Sequence, residues 1–575
     1  MRGGRHVLPA LLAAAAVVAL AFRNGGYDAT SWSWATLAAL VVTVAALVRP
    51  GATAVPRAAI GYVVCLGSFA AWIGVECLRR GTATRGVPQL ERAALYTAVA
   101  AASILVIRRM HVRSTVVGLL AAVVAVIVAG LGELLLGPIH AERYEGRLLF
   151  QPLGYANACG ILAAVGILLA LGIAATRASL TERRFAATAL VPLVVGLQLT
   201  ASRGAVVACA AGWIAFVLLS TDRLQRIAQT ALLLAMPVAG ALAAARLHIG
   251  DTQEPTSVLA RDGRLLAVIV IALSVVQATL ALRVRARRSI AWAVAAGALA
   301  AVCAVARHGL SLGDRPAYWR VAWTDARAHP LLGSGPGTYA AAWIRWRPSP
   351  TGALNAHNLY LETLAELGPA GLLLLAAALA VPLVVAVRSR STWRTAAAGA
   401  YVAFLAHAAL DWDWQMPAVT IAALLCGACV LAENSTWSAR RGPVARRLAL
   451  AGAALVAVVA GAAGIGTHAL ASARAAANRS PATAVRAAEI AATWQPWSAE
   501  PRRLLGEIDA AAGDTPAARR ALEEALRLDP EDVGAWFDLV RFGSPAERRR
   551  ALERIEQLDP LGVHVLPVNA ERPAS

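Results

Sequence analysis

Residues 114–137 read STVVGLLAAVVAVIVAGLGELLLG, with Glu133 as the single ionisable side chain. A helix rises about 1.5 Å per residue, so about 20 apolar residues cross the roughly 30 Å hydrocarbon core of a bilayer. The stretch therefore reads as a membrane-spanning helix. Similar blocks precede it near 7–22, 32–48, 57–76 and 92–107. Others follow near 158–175, 185–199, 204–219, 226–245, 264–282, 289–306, 370–387, 395–410, 415–432 and 447–467, fifteen in all. The expected fold is all-α: a polytopic integral membrane protein of about fifteen transmembrane helices.

Composition agrees. Hydrophobic residues make up 58% of the 575-residue chain and charged residues 15%, whereas soluble proteins average about 45–50% and 25%. The net charge is +20. The arginines fall mostly between apolar blocks, so topology and anionic lipid account for them, and no nucleic-acid partner is expected. The chain has no lysine, so any phosphate site must use planar guanidinium groups. Cysteines 65, 77, 159, 209, 303, 426 and 429 lie in or beside apolar stretches and read as small packing residues. Met1–Ala21 reads as a first span rather than a signal peptide, because no clear small-residue cleavage site follows before Arg23.

The loops orient the spans. With a cytoplasmic N-terminus, inside loops carry Arg49 and Arg57, Arg108-Arg109, Arg183-Arg184, Arg223 and Arg226, Arg285 with Arg287-Arg288, Arg388 with Arg390, and Arg440-Arg441. That is the positive-inside pattern. One outside loop, with Arg79, Arg80 and Arg85, breaks it. The chain then divides into a transmembrane domain, 1–468, with a large outer loop at 307–369, and an extracytoplasmic tail, 470–575. In the tail, ALEEALRLDP from Ala521 recurs as ALERIEQLDP from Ala551. A 30-residue helical repeat points to a tetratricopeptide-like module, with a protein partner or the bracing of the large loop as its task.

Ionisable residues at membrane depth are costly and mark function. Here Glu76, Glu133, Arg203, His407 and Asp411 all collect at outer helix ends. A transporter needs polar groups near the midplane; this pattern instead suits a site meeting a lipid headgroup.

Three stretches concentrate polar chemistry. LQLTASRGAVVA (197–208) places Thr200, Ser202 and Arg203 at a turn between spans, where an arginine beside hydroxyls suits a phosphate oxygen. GDRPAYWRVAWTDARAHPLLGSGPGTY (313–339) starts a helix that Asp314 can cap and carries Arg315 and Arg320. It ends in a sharp turn at Gly333, Gly335 and Gly337. NAHNLYLETLAELGPAGLLLL (355–375) has His357 opening a short helix, Glu362 and Glu366 four apart, and Gly368-Pro369 leading into a span.

In this order the three stretches resemble the O-antigen ligase and polymerase superfamily. GRLLFQPLGYANACG (146–160), through Arg147 and Asn157, and HAALDWDW (407–414) are similar to further family segments, so the likeness covers about 140–435. The resemblance implies a GT-C-like membrane domain and a polyprenyl-diphosphate-linked glycan donor of the undecaprenyl kind. The implied acceptor is a glycan, lipid or protein. Arg203, with Arg315 or Arg320, would bind the diphosphate. His357 would be the general base. Ser202, Asn157, Arg147, Asn358, Glu366 and Asp411 would support them, inversion would need no metal, and no cofactor is implied. Asp411-Trp-Asp413 has an Asp-x-Asp form that some transferases use for a divalent cation. The arginines would do the same electrostatic work, so a structural polar cluster is expected there. The competing functions are a polymerase, a transporter or flippase of the lipid-linked glycan, and a scaffold acting through its tail.

Overall fold

The computed structural model describes residues 4–49, 55–139, 145–175, 178–280, 313–388, 391–432, 438–439 and 442–562. Among these residues the chain forms twenty-one α-helices and one two-residue antiparallel pair, Val55–Pro56 with Ser438–Ala439. The expected span at 289–306, with Cys303, lies outside the described residues, as do Arg285, Arg287, Arg288, Arg390, Arg440 and Arg441. The other fourteen apolar blocks each fall on a helix.

Among the described residues, seven helices are long and apolar enough to cross a membrane: Ala29–Val48, Arg57–Arg80, Arg109–Leu136, Ala156–Ala174, Arg223–Arg246, Leu359–Val387 and Pro443–Ala476. Val7–Ala21, Arg203–Leu219 and Pro417–Leu431 are shorter apolar helices. Leu373, Val387, Leu455 and Val458 stand exposed on such helices, the arrangement expected of lipid-facing surface. The chain is a multi-pass membrane protein, and among the described residues fewer helices are long and apolar enough to span than there are apolar blocks.

Ala156–Ala174 (α6) is the central post, buried along almost its whole length. It is built of Ala, Gly and Leu because close helix approach in lipid depends on small side chains. Arg203–Leu219 (α8) and Thr392–His407 (α14) cross closely. A Cβ on Gly212 would stand 2.5 Å from the Gly399 carbonyl oxygen.

Helix Leu359–Val387 (α13) carries a sharp bend at Gly368, whose φ is +66°. Gly368 is non-helical, so the short polar helix and the span meet at Gly368-Pro369 as expected.

The last long helix, Pro443–Ala476 (α16), runs unbroken through residue 468. Ala469, Leu470 and Ala473 at its end pack with Ala484, Ala488 and Leu504 of the tail. The following helices, Pro481–Trp494, Glu500–Ala511, Thr515–Leu528 (α19), Val533–Phe542 and Pro545–Leu558 (α21), stack in sequence. Both copies of the 30-residue repeat fall on matching helices, α19 and α21, which explains the period.

Candidate functional site

The turn at 200–203 is built from its own hydroxyls. Thr200 Oγ1 donates to the Leu197 carbonyl at 2.7 Å, and Ser202 Oγ accepts from Ala205 N–H at 3.2 Å as the N-cap of α8. Ala201 takes a φ of +52°, a left-handed value that is uncommon for a residue with a Cβ. Ser202 is buried, and Arg203 stands exposed at the helix start. Ser202 is therefore a capping residue.

On one side, the Cβ position of Gly160 lies 2.9 Å from Ser202 Cβ, which puts the start of α6 and Asn157 against the turn. On the other, the Cβ position of Gly204 lies 3.2 Å from His407 Nε2 and 3.9 Å from Leu410 Cβ. Arg203 thus flanks the 407–411 segment.

Asp411 is the hub of that segment. It is fully buried. Its Oδ1 accepts from Tyr155 Oη at 2.8 Å and its Oδ2 from Asn157 Nδ2 at 2.8 Å and Arg315 Nη2 at 2.6 Å. Arg315 Nε also donates to the Leu410 carbonyl at 2.5 Å. Asp413 turns the other way, its Oδ2 lying 2.9 Å from His407 Nδ1, with both residues buried. The two carboxylates of the Asp-x-Asp pattern therefore serve different partners.

Arg315 begins helix Arg315–Ala328 (α11), and Tyr318 lies one turn on. Asp314 occupies the N-cap position, but only its backbone carbonyl bonds into the helix, to Ala317 N–H at 2.9 Å. The expected side-chain cap is not made, since its ψ of −3° is helical and not the extended value that aims a cap side chain at the next turn. Tyr318 stacks on His357, centroids 4.8 Å apart and planes 26° apart. Arg320 is exposed further along the same helix.

His357 does not open a helix as expected. It precedes Asn358, the true N-cap, whose Oδ1 accepts from Leu361 N–H at 3.0 Å. His357 itself takes a φ of +52°, and such strain persists only where neighbours impose it. Here Glu362 accepts from Ala356 N–H at 2.7 Å, and Leu359 N–H donates to the Ala408 carbonyl at 2.8 Å.

Nδ1 of His357 lies 3.3 Å from the Asn355 carbonyl. A neutral ring donating there keeps its lone pair on Nε2. Burial pushes the His357 pKa down, and the nearby Arg315 charge adds to this. The Asp411 carboxylate and the Asn355 carbonyl oppose it.

Two of the expected supporting residues make their contacts away from the Asp411 cluster. Glu366 accepts from Gln89 Nε2 at 2.7 Å, Tyr339 N–H at 2.9 Å and Gly337 N–H at 3.1 Å. It fastens the expected sharp turn, in which Gly333, Gly335 and Gly337 all have positive φ. Arg147 donates to the carbonyls of Ile249 at 3.0 Å and Leu134 at 3.2 Å, away from Asp411. Sequence reasoning missed Tyr155 and Tyr318. The signal for Tyr155 was its place two residues before Asn157; Tyr318 had none beyond its spacing from Arg315.

These side chains come from five separate segments, and their convergence defines a membrane protein with a polar site at one end of its bundle. Residues 188–376 match the family model described as O-antigen ligase, and residues 499–542 match one described as tetratricopeptide repeat. No curated protein matches the chain. The ligase match takes in Arg203, Arg315, Arg320 and His357, with Asn157 before it and Asp411 beyond it. Residues 188–376 are thus similar to the O-antigen ligase family and the tail to tetratricopeptide repeats, a likeness that supports a ligase-type role in glycosyl transfer at a membrane.

Proposed function

We propose that the chain moves a preassembled glycan from a polyprenyl-diphosphate carrier to an acceptor hydroxyl or amide at the outer face of the plasma membrane. The reading carries over the division into a transmembrane domain, 1–468, and an extracytoplasmic tail. In the reaction the acceptor oxygen or nitrogen bonds to the anomeric carbon as that carbon's bond to the diphosphate oxygen breaks. Attack from the opposite face inverts the centre. The proton passes to His357 Nε2, and the lipid diphosphate leaves.

One observation carries this reading: Asp411 holds Arg315 near His357, a histidine whose burial favours the neutral ring. A neutral imidazole is the form that accepts a proton. Fixed guanidinium groups aimed at a leaving diphosphate stabilise the charge as it develops. Arg203, flanking the same segment, is the second cation, with Arg320 next along α11. The arginines do the electrostatic work, so the proposal needs no metal.

The test is the lipid-linked glycan that accumulates in cells whose only copy carries His357→Ala. Long lipid-diphosphate chains support transfer to a final acceptor. Single repeat units indicate that the reaction is polymerisation. Normal surface glycan with no accumulation removes His357 as base and rejects the proposal.

A further inference from the structure

The repeated LDP sequences carry aspartates 30 residues apart, Asp529 and Asp559, which occupy the same place after α19 and α21. Both are occupied by arginines of the membrane part. Arg85 meets Asp529 fork to fork, Nε to Oδ2 and Nη2 to Oδ1, each at 2.8 Å, and its Nη1 reaches Glu531 at 2.9 Å. Arg347 Nη2 lies 2.7 and 2.8 Å from the two oxygens of Asp559. Arg345 also binds Glu531, at 2.8 Å.

The two pairs made by the repeat aspartates are not solvated surface pairs. The side chains of Arg347 and Asp559 are 10% and 9% exposed. A pair so enclosed is costly to break, because the separated charges stay desolvated. Arg347 Nη1 also donates to the carbonyls of Pro350 and Thr351, and Trp343 Nε1 donates to Thr351 at 2.8 Å. Asp559 therefore reaches through Arg347 to a turn that ends six residues before His357. Arg85 supports the same loop from beneath, since its backbone packs under Gly337.

The same contacts resolve the loop that broke the positive-inside pattern. Arg85 pairs with the tail, Arg79 with Glu76 at 2.6 Å, and Arg80 donates to the Gly333 carbonyl. Arg85 is placed there to receive Asp529 of the repeat, and Arg80 to receive the glycine turn.

We propose that the helical-repeat tail is an intramolecular clamp. Its ligand is this chain's own arginine-bearing turns, and Asp559–Arg347 and Asp529–Arg85 are positioning contacts that hold the 313–358 loop over the site. The consequence for catalysis rests on the proposed role of His357; the docking itself does not.

The test uses the full-length protein with Asp559→Arg, Arg347→Asp and both together, and Asp559→Asn should a reversal fail to fold. Two readouts are taken: the rate of tryptic cleavage after Arg345, and the kcat and KM of glycan transfer. Each single reversal should raise cleavage and lower kcat by at least about tenfold, while the double reversal restores both. Unchanged cleavage in the single variants overturns the clamp. Faster cleavage with unchanged kcat overturns the positioning role. Cleavage that responds as expected while His357→Ala still transfers glycan keeps the docking and rejects the proposed base.

Discussion

Arg315 Nη2 and Asp411 Oδ2 lie 2.6 Å apart, and the aspartate side chain is 1% exposed. The ion pair is therefore shielded on one side and reaches the site on the other, which makes it an aiming device for the guanidinium. Asp411→Asn keeps the volume and removes the charge. Truncating one member of a buried, hydrogen-bonded charge pair costs about 2–5 kcal/mol. Transfer should fall by at least roughly thirtyfold on that scale, with protein level in the membrane unchanged. Near-normal transfer by the variant would show that Arg315 does not need the carboxylate.

The pH dependence follows from His357. Burial lowers its pKa below the ordinary value of 6.5, so the neutral ring persists into mildly acidic solution. A kcat/KM profile should be flat around neutrality and decline only as pH drops through a value below 6.5. The stability sign runs the same way. The unfolded chain takes up the proton first, so this group stabilises the fold above pH 6.5 and less as pH falls beneath it. An acid limb above 6.5 would mean that a different group sets the rate.

Gly337 supplies a stability prediction with an internal control. Its φ is +75°, and a Cβ there would stand 2.3 Å from the Arg85 carbonyl oxygen. Gly337→Ala should destabilise the loop by about 1–3 kcal/mol from backbone strain alone, with the clash added. Gly352, in the same loop, has nothing within 4 Å of its Cβ position, and Gly352→Ala should leave thermal unfolding unchanged. Equal effects at the two sites would refute the docking of this turn on Arg85.

Much of this was legible in the sequence. Apolar length placed the helices, because lipid forces every backbone group to bond within its own segment. The polar motifs named most of the segments that the fold brings together around Asp411. Glu366 was legible as important but not as structural, since a carboxylate that fastens backbone N–H groups has the same letter as one that does chemistry. Docking of the tail was hidden for another reason. Arg85 and Asp529 stand 444 positions apart, and no local period encodes a contact of that range. The loop that departed from the positive-inside pattern was the one trace of it.

The ring contact between Tyr318 and His357 gives the sharpest test of the site's geometry. The stack is backed by Trp343, which meets Tyr318 edge-on with centroids 4.9 Å apart, and by Tyr339 Oη donating to the Tyr318 carbonyl at 3.1 Å. The tyrosine ring is thus fixed before the histidine lies against it. Tyr318→Phe keeps the stack and should keep transfer. Tyr318→Leu removes it, and an aromatic pair contributes about 0.5–1.5 kcal/mol beyond burial, so transfer should drop roughly two- to twelvefold on that scale. If Tyr318 acts by orienting His357, the leucine variant has nothing further to remove once His357 is alanine, and the residual rates of His357→Ala with and without Tyr318→Leu should coincide. An equal loss in both backgrounds would show that Tyr318 acts through the fold of the loop and not through the imidazole.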